Sequence, residues 1–165
     1  MADSYGNNTQ DLSTIGVKVG IAIEATAGTK PTTGYIAIPK VNEIPEMDFE
    51  PDTIDTTSFD NLKYKSYING LMDTGGVLSL SANYTERGVK IWDDMVKKQN
   101  GATNGEQLWL VISIPSIENK YFIPINAVPT GVPNTPLNDK VSIGYKFTVT
   151  GDILKENVSV DTLFA

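Results

Sequence analysis

Val141-Ser142-Ile143-Gly144-Tyr145-Lys146-Phe147-Thr148-Val149-Thr150 alternates without interruption. Val141, Ile143, Tyr145, Phe147 and Val149 fall on one side, and Ser142, Gly144, Lys146, Thr148 and Thr150 on the other. A period of two is the mark of a strand with one face against a core. Val77 to Tyr84 repeats the pattern, with Leu78, Leu80, Ala82 and Tyr84 opposed to Ser79, Ser81 and Asn83. Val17, Val19, Ile21 and Ile23 share one face of a third run. Gln107 to Ile114 is apolar on both faces and reads as a central strand.

Weaker strands fill the gaps. Tyr35–Ile38 and Val41–Ile44 are short and separated by Pro39. Lys120 to Asn126 contains Pro124, which places it at an edge or a bulge. One helix stands out from about Glu86 to Gln99. Thr85 is its predicted N-cap, and Asn100-Gly101 supplies the stop. Val89, Ile91, Trp92, Met95 and Val96 span an arc of about 160° at helical spacing, so the stripe should seal one edge of a sheet core. The expectation is a mainly β, sandwich- or barrel-like domain with one flanking helix.

Residues 53–75 carry no sustained period of 2 or 3.6 and read as a long loop. The loop holds Phe59, Tyr64, Tyr67, Leu71 and Met72, and a loop this apolar packs on something, its own domain or another subunit. Just before it, Glu46, Asp48, Glu50 and Asp52 alternate along an extended segment. In a strand these acids share one face, about 7 Å apart. They make a solvated face, a charged rim or a site for a hard cation. The tight turns and glycine of a calcium loop are missing, so no metal is predicted.

The chain has 165 residues, which suits one domain. Residues 1–15 are polar and read as an N-terminal arm, 16–153 as the β domain and 154–165 as a C-terminal arm. The chain holds 13 basic and 20 acidic side chains, a formal charge of −7. That balance argues against gripping nucleic acid or an anionic membrane by charge. Cysteine and histidine are absent, which removes disulfides, thiolate nucleophiles, triads and zinc-hydrolase chemistry. No P-loop occurs, and no cofactor is predicted. A carboxylate pair could still catalyse, but nothing marks one. The polar N-terminus lacks a signal peptide's pattern, no apolar run spans a bilayer, and cytoplasmic synthesis without a membrane anchor is expected. Trp92 and Trp109 sit at core positions rather than on a sugar-binding face.

The order of several segments resembles a known family. Asp55-Thr56-Thr57 precedes Gly70-Leu71-Met72-Asp73-Thr74-Gly75 and the Leu/Ser-alternating strand; a helix, a hydrophobic strand pair and Lys146-Phe147-Thr148-Val149-Thr150-Gly151 follow. Over about residues 35–152 this is similar to the major tail proteins, or tail tube proteins, of long-tailed phages with non-contractile tails. The resemblance implies a tail tube fold, hexameric rings stacked into a hollow tube, and a place in the virion as the conduit for the genome. It implies self-association, with the tape measure protein and the tail-terminator and distal tail proteins as further partners, and DNA passing without specific binding.

Within that frame, Phe59, Tyr64, Tyr67, Leu71 and Met72 become the expected inter-ring or inter-subunit contacts. Ser79, Ser81, Asn83, Ser142, Lys146 and Thr148 become the expected lumen-facing residues, because small polar groups line a wet bore without sticky patches. A net-negative wall would repel phosphates. A carbohydrate- or surface-binding β-sandwich is the alternative, and it would need exposed aromatics on a concave face.

Overall fold

A computed structural model describes residues 15–60, 63–73 and 76–165, without the side chains of residues 72 and 73. Ten strands and two helices follow one another in the described chain. They are β1 (Lys18–Ile23), β2 (Ile36–Ala37), β3 (Val41–Glu43), β4 (Glu50–Asp55), β5 (Tyr67–Asp73), β6 (Val77–Asn83), α1 (Glu86–Asn100), β7 (Leu108–Ser113), β8 (Lys120–Ala127), β9 (Ser142–Val149), β10 (Leu154–Glu156) and α2 (Val160–Leu163). Eight strands form one antiparallel sheet in the order β2-β1-β7-β8-β9-β6-β3, with β10 also on β8. The sheet curls into a half-barrel. The mainly β expectation therefore holds.

The alternating strands bury the faces their periods assign. Val19, Ile21, Leu80, Ala82, Leu108, Leu110, Ile123, Ile125, Ile143, Tyr145 and Phe147 meet in one core on the concave side. Helix α1 closes that core across β1 and β8 with Trp92, Met95 and Val96. Its cap is the predicted one: the Thr85 hydroxyl accepts from Gly88 N at 3.1 Å. The helix is also fastened to the chain leaving β8. Trp92 Nε1 donates to Val128 O at 2.8 Å, Gln99 brackets Ala127, and Asp93 accepts from Thr130 N and Oγ1. Truncating a buried tryptophan such as Trp92 costs roughly 3–5 kcal/mol.

Strand β7 is apolar on both faces because both are covered. On the convex side Ala22, Tyr35, Val111, Phe122 and Leu163 form a second, smaller core. The expected C-terminal arm, 154–165, supplies much of that cover: β10 pairs with β8, and α2 delivers Leu163 and Phe164. Phe164 lies over Gly20, where a Cβ would stand 2.6 Å from its ring. Lys30 sits over the Phe122 ring at 3.8 Å and ion-pairs with Glu156, clipping β10 down. Of the expected N-terminal arm, 1–15, all but Ile15 lies outside the described residues.

Two readings need correction. Pro124 does not put β8 at an edge; β8 lies between β7 and the successive partners β9 and β10. Thr150 N donates to Pro124 O at 3.0 Å. In an antiparallel strand a residue's N–H and C=O point the same way, so the missing N–H faces the gap between β9 and β10, where the partner chain leaves the ladder. The second correction concerns residues 53–75. Their ends are not loop: β4 and β5 pair into a separate two-stranded sheet, with Ile54 opposite Ile68 and Asp55 opposite Tyr67.

Candidate functional site

The β4–β5 hairpin departs from the domain. Its described side chains are exposed or nearly so on both faces, and among the described residues its main packing is between its own two strands. An isolated two-stranded hairpin is marginal in water. Local bonds hold its tip. Asp55 accepts from Thr57 N at 2.9 Å, the Thr57 hydroxyl accepts from Ser66 N at 2.8 Å, and Thr56 N donates to Ser66 O. These bonds from Thr57 hold the Asp55 carboxyl below the usual carboxylate range. The Asp55-Thr56-Thr57 segment is thus a clamp on the tip. Gly70 lets the strands close, since a Cβ there would meet Asp52 O at 3.2 Å, with Ile54 lying across it.

This hairpin carries the predicted contact residues. Phe59 is fully exposed, Tyr64 is 81% exposed, Leu71 84% and Tyr67 53%. Ile54, which sequence reasoning did not single out, joins Ile68 as a half-exposed pair on one face. Met72 pairs with Pro51 in the ladder; its side chain lies outside the described residues.

The second predicted set also comes together. Ser79 faces Lys146, Ser81 faces Gly144 and Asn83 faces Ser142 across β6 and β9, and Thr148 continues the row opposite Val77. All six share the convex face of two neighbouring strands. Gly144 gives room to Ser79, whose Oγ would stand 2.5 Å from a Cβ there. The convex cover from α2 rests on β1, β7 and β8 rather than here. The six side chains are partly or fully exposed, and Lys146 alone among them is charged. A shallow dimple of about 370 Å³ continues this face under the 132–140 loop, lined by Asn42, Ser81, Ser142 and Lys140 among others.

A third feature was not foreseen as a site. Residues 44–49 run extended from β3 to β4, with Ile44, Met47 and Phe49 turned half inward and Glu46 and Asp48 exposed. Between this connector and the sheet lies a groove of about 1170 Å³, walled by Val19, Ile112 and Ile123 opposite Ile44, Met47 and Phe49. Glu43, Glu46 and Lys155 supply its ionic groups. The alternation of acids was legible; the groove behind it depends on the curl of the sheet. Among the described residues no three carboxylates converge to hold a metal ion.

The tryptophans lie where the core reading put them. Trp92 is buried, and Trp109 is half-buried in the convex core with its Nε1 donating to Glu24 Oε1 at 2.8 Å. Among the described residues the exposed aromatics are Phe59, Tyr64 and Tyr67 of the hairpin and Tyr84 at the end of β6. Among the described residues, no helix is long and apolar enough to cross a membrane.

No family model matches this chain, and no curated protein does. Solved structures do. A chain in the 6-fold symmetrised cryo-EM structure of the anti-feeding prophage baseplate is similar at a TM-score of 0.64 and 11% identity, covering 93% of this chain and all of that one. A chain in the sheath/tube terminator structure of an extracellular contractile injection system gives a TM-score of 0.59 at 12% identity, covering 90% of this chain and 99% of the other. A chain of a native gene transfer agent virion gives 0.53 at 14%, covering 74% and 88%. The fold is therefore one found in phage-tail-like particles. The non-contractile class implied by the sequence resemblance gains nothing from these likenesses, one of which comes from a system described as contractile.

Proposed function

We propose that this chain is a structural subunit of a phage tail or tail-like particle. It assembles as hexameric rings that stack into a tube, and the tube conducts a genome or other cargo toward a host cell. The observation that carries the reading is the β4–β5 hairpin, a two-stranded sheet with no core of its own that exposes Ile54, Tyr67, Ile68 and Leu71. Such an element needs a surface to lie on, and a self-assembling subunit supplies one in its neighbour. The near full-length likeness to chains of 6-fold particles supports the same reading.

In this arrangement the β6–β9 polar face lines the bore, and the hairpin reaches an adjoining subunit. Uncharged serine, asparagine and threonine side chains present few cations to phosphates, so DNA passes without being held. The tape measure protein inside the bore and terminator or distal tail proteins at the tube ends complete the set of partners. The subunit resides in the virion after synthesis in the host cytoplasm.

Electron microscopy and sedimentation velocity of the purified protein test the proposal. Rings with six-fold end views, or tubes built from them, are expected at raised concentration. A species that stays monomeric at every concentration and shows neither rings nor tubes overturns it.

A further inference from the structure

The hairpin tells which part of the molecule reaches out, but not what receives it. A ring or a stack joined head to tail needs two different patches on one chain. We propose that the receiving patch is the groove beneath residues 44–49, and that its occupant is the hairpin tip of a second copy of this chain. This rests on the assembly reading above and adds the partner surface to it.

Shape is the first argument. The groove holds about 1170 Å³ and its walls are mainly aliphatic and aromatic. The tip offers Phe59 and Tyr64, both largely exposed, as side chains to fill it. Apolar grooves accept aromatic anchors well, because rings bury much area at little entropic cost.

Charge is the second. Lys63 and Lys65 flank Tyr64 and are exposed, and no ion pair to either is seen among the described residues. Glu43 and Glu46 lie in the groove's lining, and Asp48 is exposed two residues further along the connector. A ring flanked by two ammonium groups thus meets an apolar slot flanked by carboxylates. The acidic alternation seen in the sequence acquires a purpose as a docking rim. Lys155, the one basic group in the lining, stands over the Tyr121 ring.

Reach is the third. The connector runs straight into β4, so the hairpin is rooted at the rim of its own groove. Six strand residues carry the tip about 20 Å away. A paired hairpin cannot fold back through that distance without breaking its ladder. The groove of a neighbouring copy is the one the tip meets.

Charge reversal tests the pairing, since all four residues are exposed and their exchange should leave the circular dichroism spectrum unchanged. Lys63→Glu with Lys65→Glu should raise the concentration needed for assembly on the order of tenfold or more. Glu46→Lys with Asp48→Lys should do the same, and an equal mixture of the two variants should recover wild-type assembly at the mixed contacts. The chain has no cysteine, so Tyr64→Cys and Met47→Cys proteins mixed and oxidised should give, as the main product by mass, the mixed disulfide joining one variant to the other rather than either symmetric dimer. Reversed variants that assemble like wild type overturn the docking proposal, as does an assembling mixture with no crosslink or a mixture that fails to recover. A wild-type protein that never assembles overturns this proposal together with the tube reading.

Discussion

Gly88 and Tyr145 share one space: a Cβ on Gly88 would stand 2.5 Å from the Tyr145 hydroxyl and 2.8 Å from Thr85 Oγ1. The glycine in the first turn of α1 is there so that β9 can press its largest core residue against the helix. Gly88→Ala would ordinarily help a helix by about 1 kcal/mol. Here it should destabilise by roughly 1–3 kcal/mol, because the core must give way. Combining it with Tyr145→Phe should recover part of the loss, which a double-mutant cycle in urea measures.

The same hydroxyl predicts a response to alkali. Tyr145 Oη is buried and has no hydrogen-bond partner among the described residues. Burial pushes its pKa above the ordinary value of 10.0, and Asp93 and Tyr84 push the same way. Burial also raises Tyr35, with Glu156 second. The folded state therefore favours the neutral phenols. Their contribution is complete below about pH 10 and is lost as pH rises through the raised values. Thermal midpoints should fall on that limb, less steeply in Tyr145→Phe and least in Tyr145→Phe with Tyr35→Phe. At neutral pH Tyr145→Phe should gain about 1 kcal/mol by removing an unsatisfied polar atom.

Glu24 is a buried carboxylate with a structural task. Its oxygens accept from Gly28 N at 2.9 Å, Gln107 N at 3.1 Å and Trp109 Nε1 at 2.8 Å. It ties the end of β1 to the entry of β7 and fixes the half-buried tryptophan. Glu24→Ala strands three donors and should cost about 3 kcal/mol in denaturant unfolding. Glu24→Gln should cost less, since one oxygen remains to accept.

The polar convex face gives a prediction for the assembled state. Ser81→Cys should react with a small maleimide both in free subunits and in tubes. A maleimide bearing a long polymer should react with free subunits and be slowed strongly in tubes, because the bore admits it poorly. Equal reactivity in both states would remove β6 and β9 from the lumen.

Leucine 163 reports on the convex cover. Leu163→Ala should destabilise by about 2–5 kcal/mol, the range for an emptied core site. The chain should also bind hydrophobic dyes more readily, because Phe122 and Val111 lose their lid.

Strands with one buried face could be read from the chain, because burial writes the period into the residues. That holds for β6 and β9, and α1 was clear from its stripe and its Thr85 cap. The hairpin could not be read the same way. Its strands have no buried side, so Ile54 and Ile68 match each other across the ladder and not a core. Glu24 is a single acid at a strand end, and nothing local says that Gln107 and Trp109 join the nearby Gly28 in donating to it. The predicted contact residues were found by their apolar character in a polar setting; the groove was not, because it is made by curvature.

The proline inside β8 has one more consequence. Antiparallel rows can slide by two residues and keep every side chain on its proper face, so alternation alone does not forbid the error. Pro124 opposes the slide that would carry β9 further along β8. Shifting β9 past its present end would set a ladder acceptor against a ring that has no hydrogen to give. The residue acts as a stop in the track, and chains that zip up out of phase are turned back before they can persist.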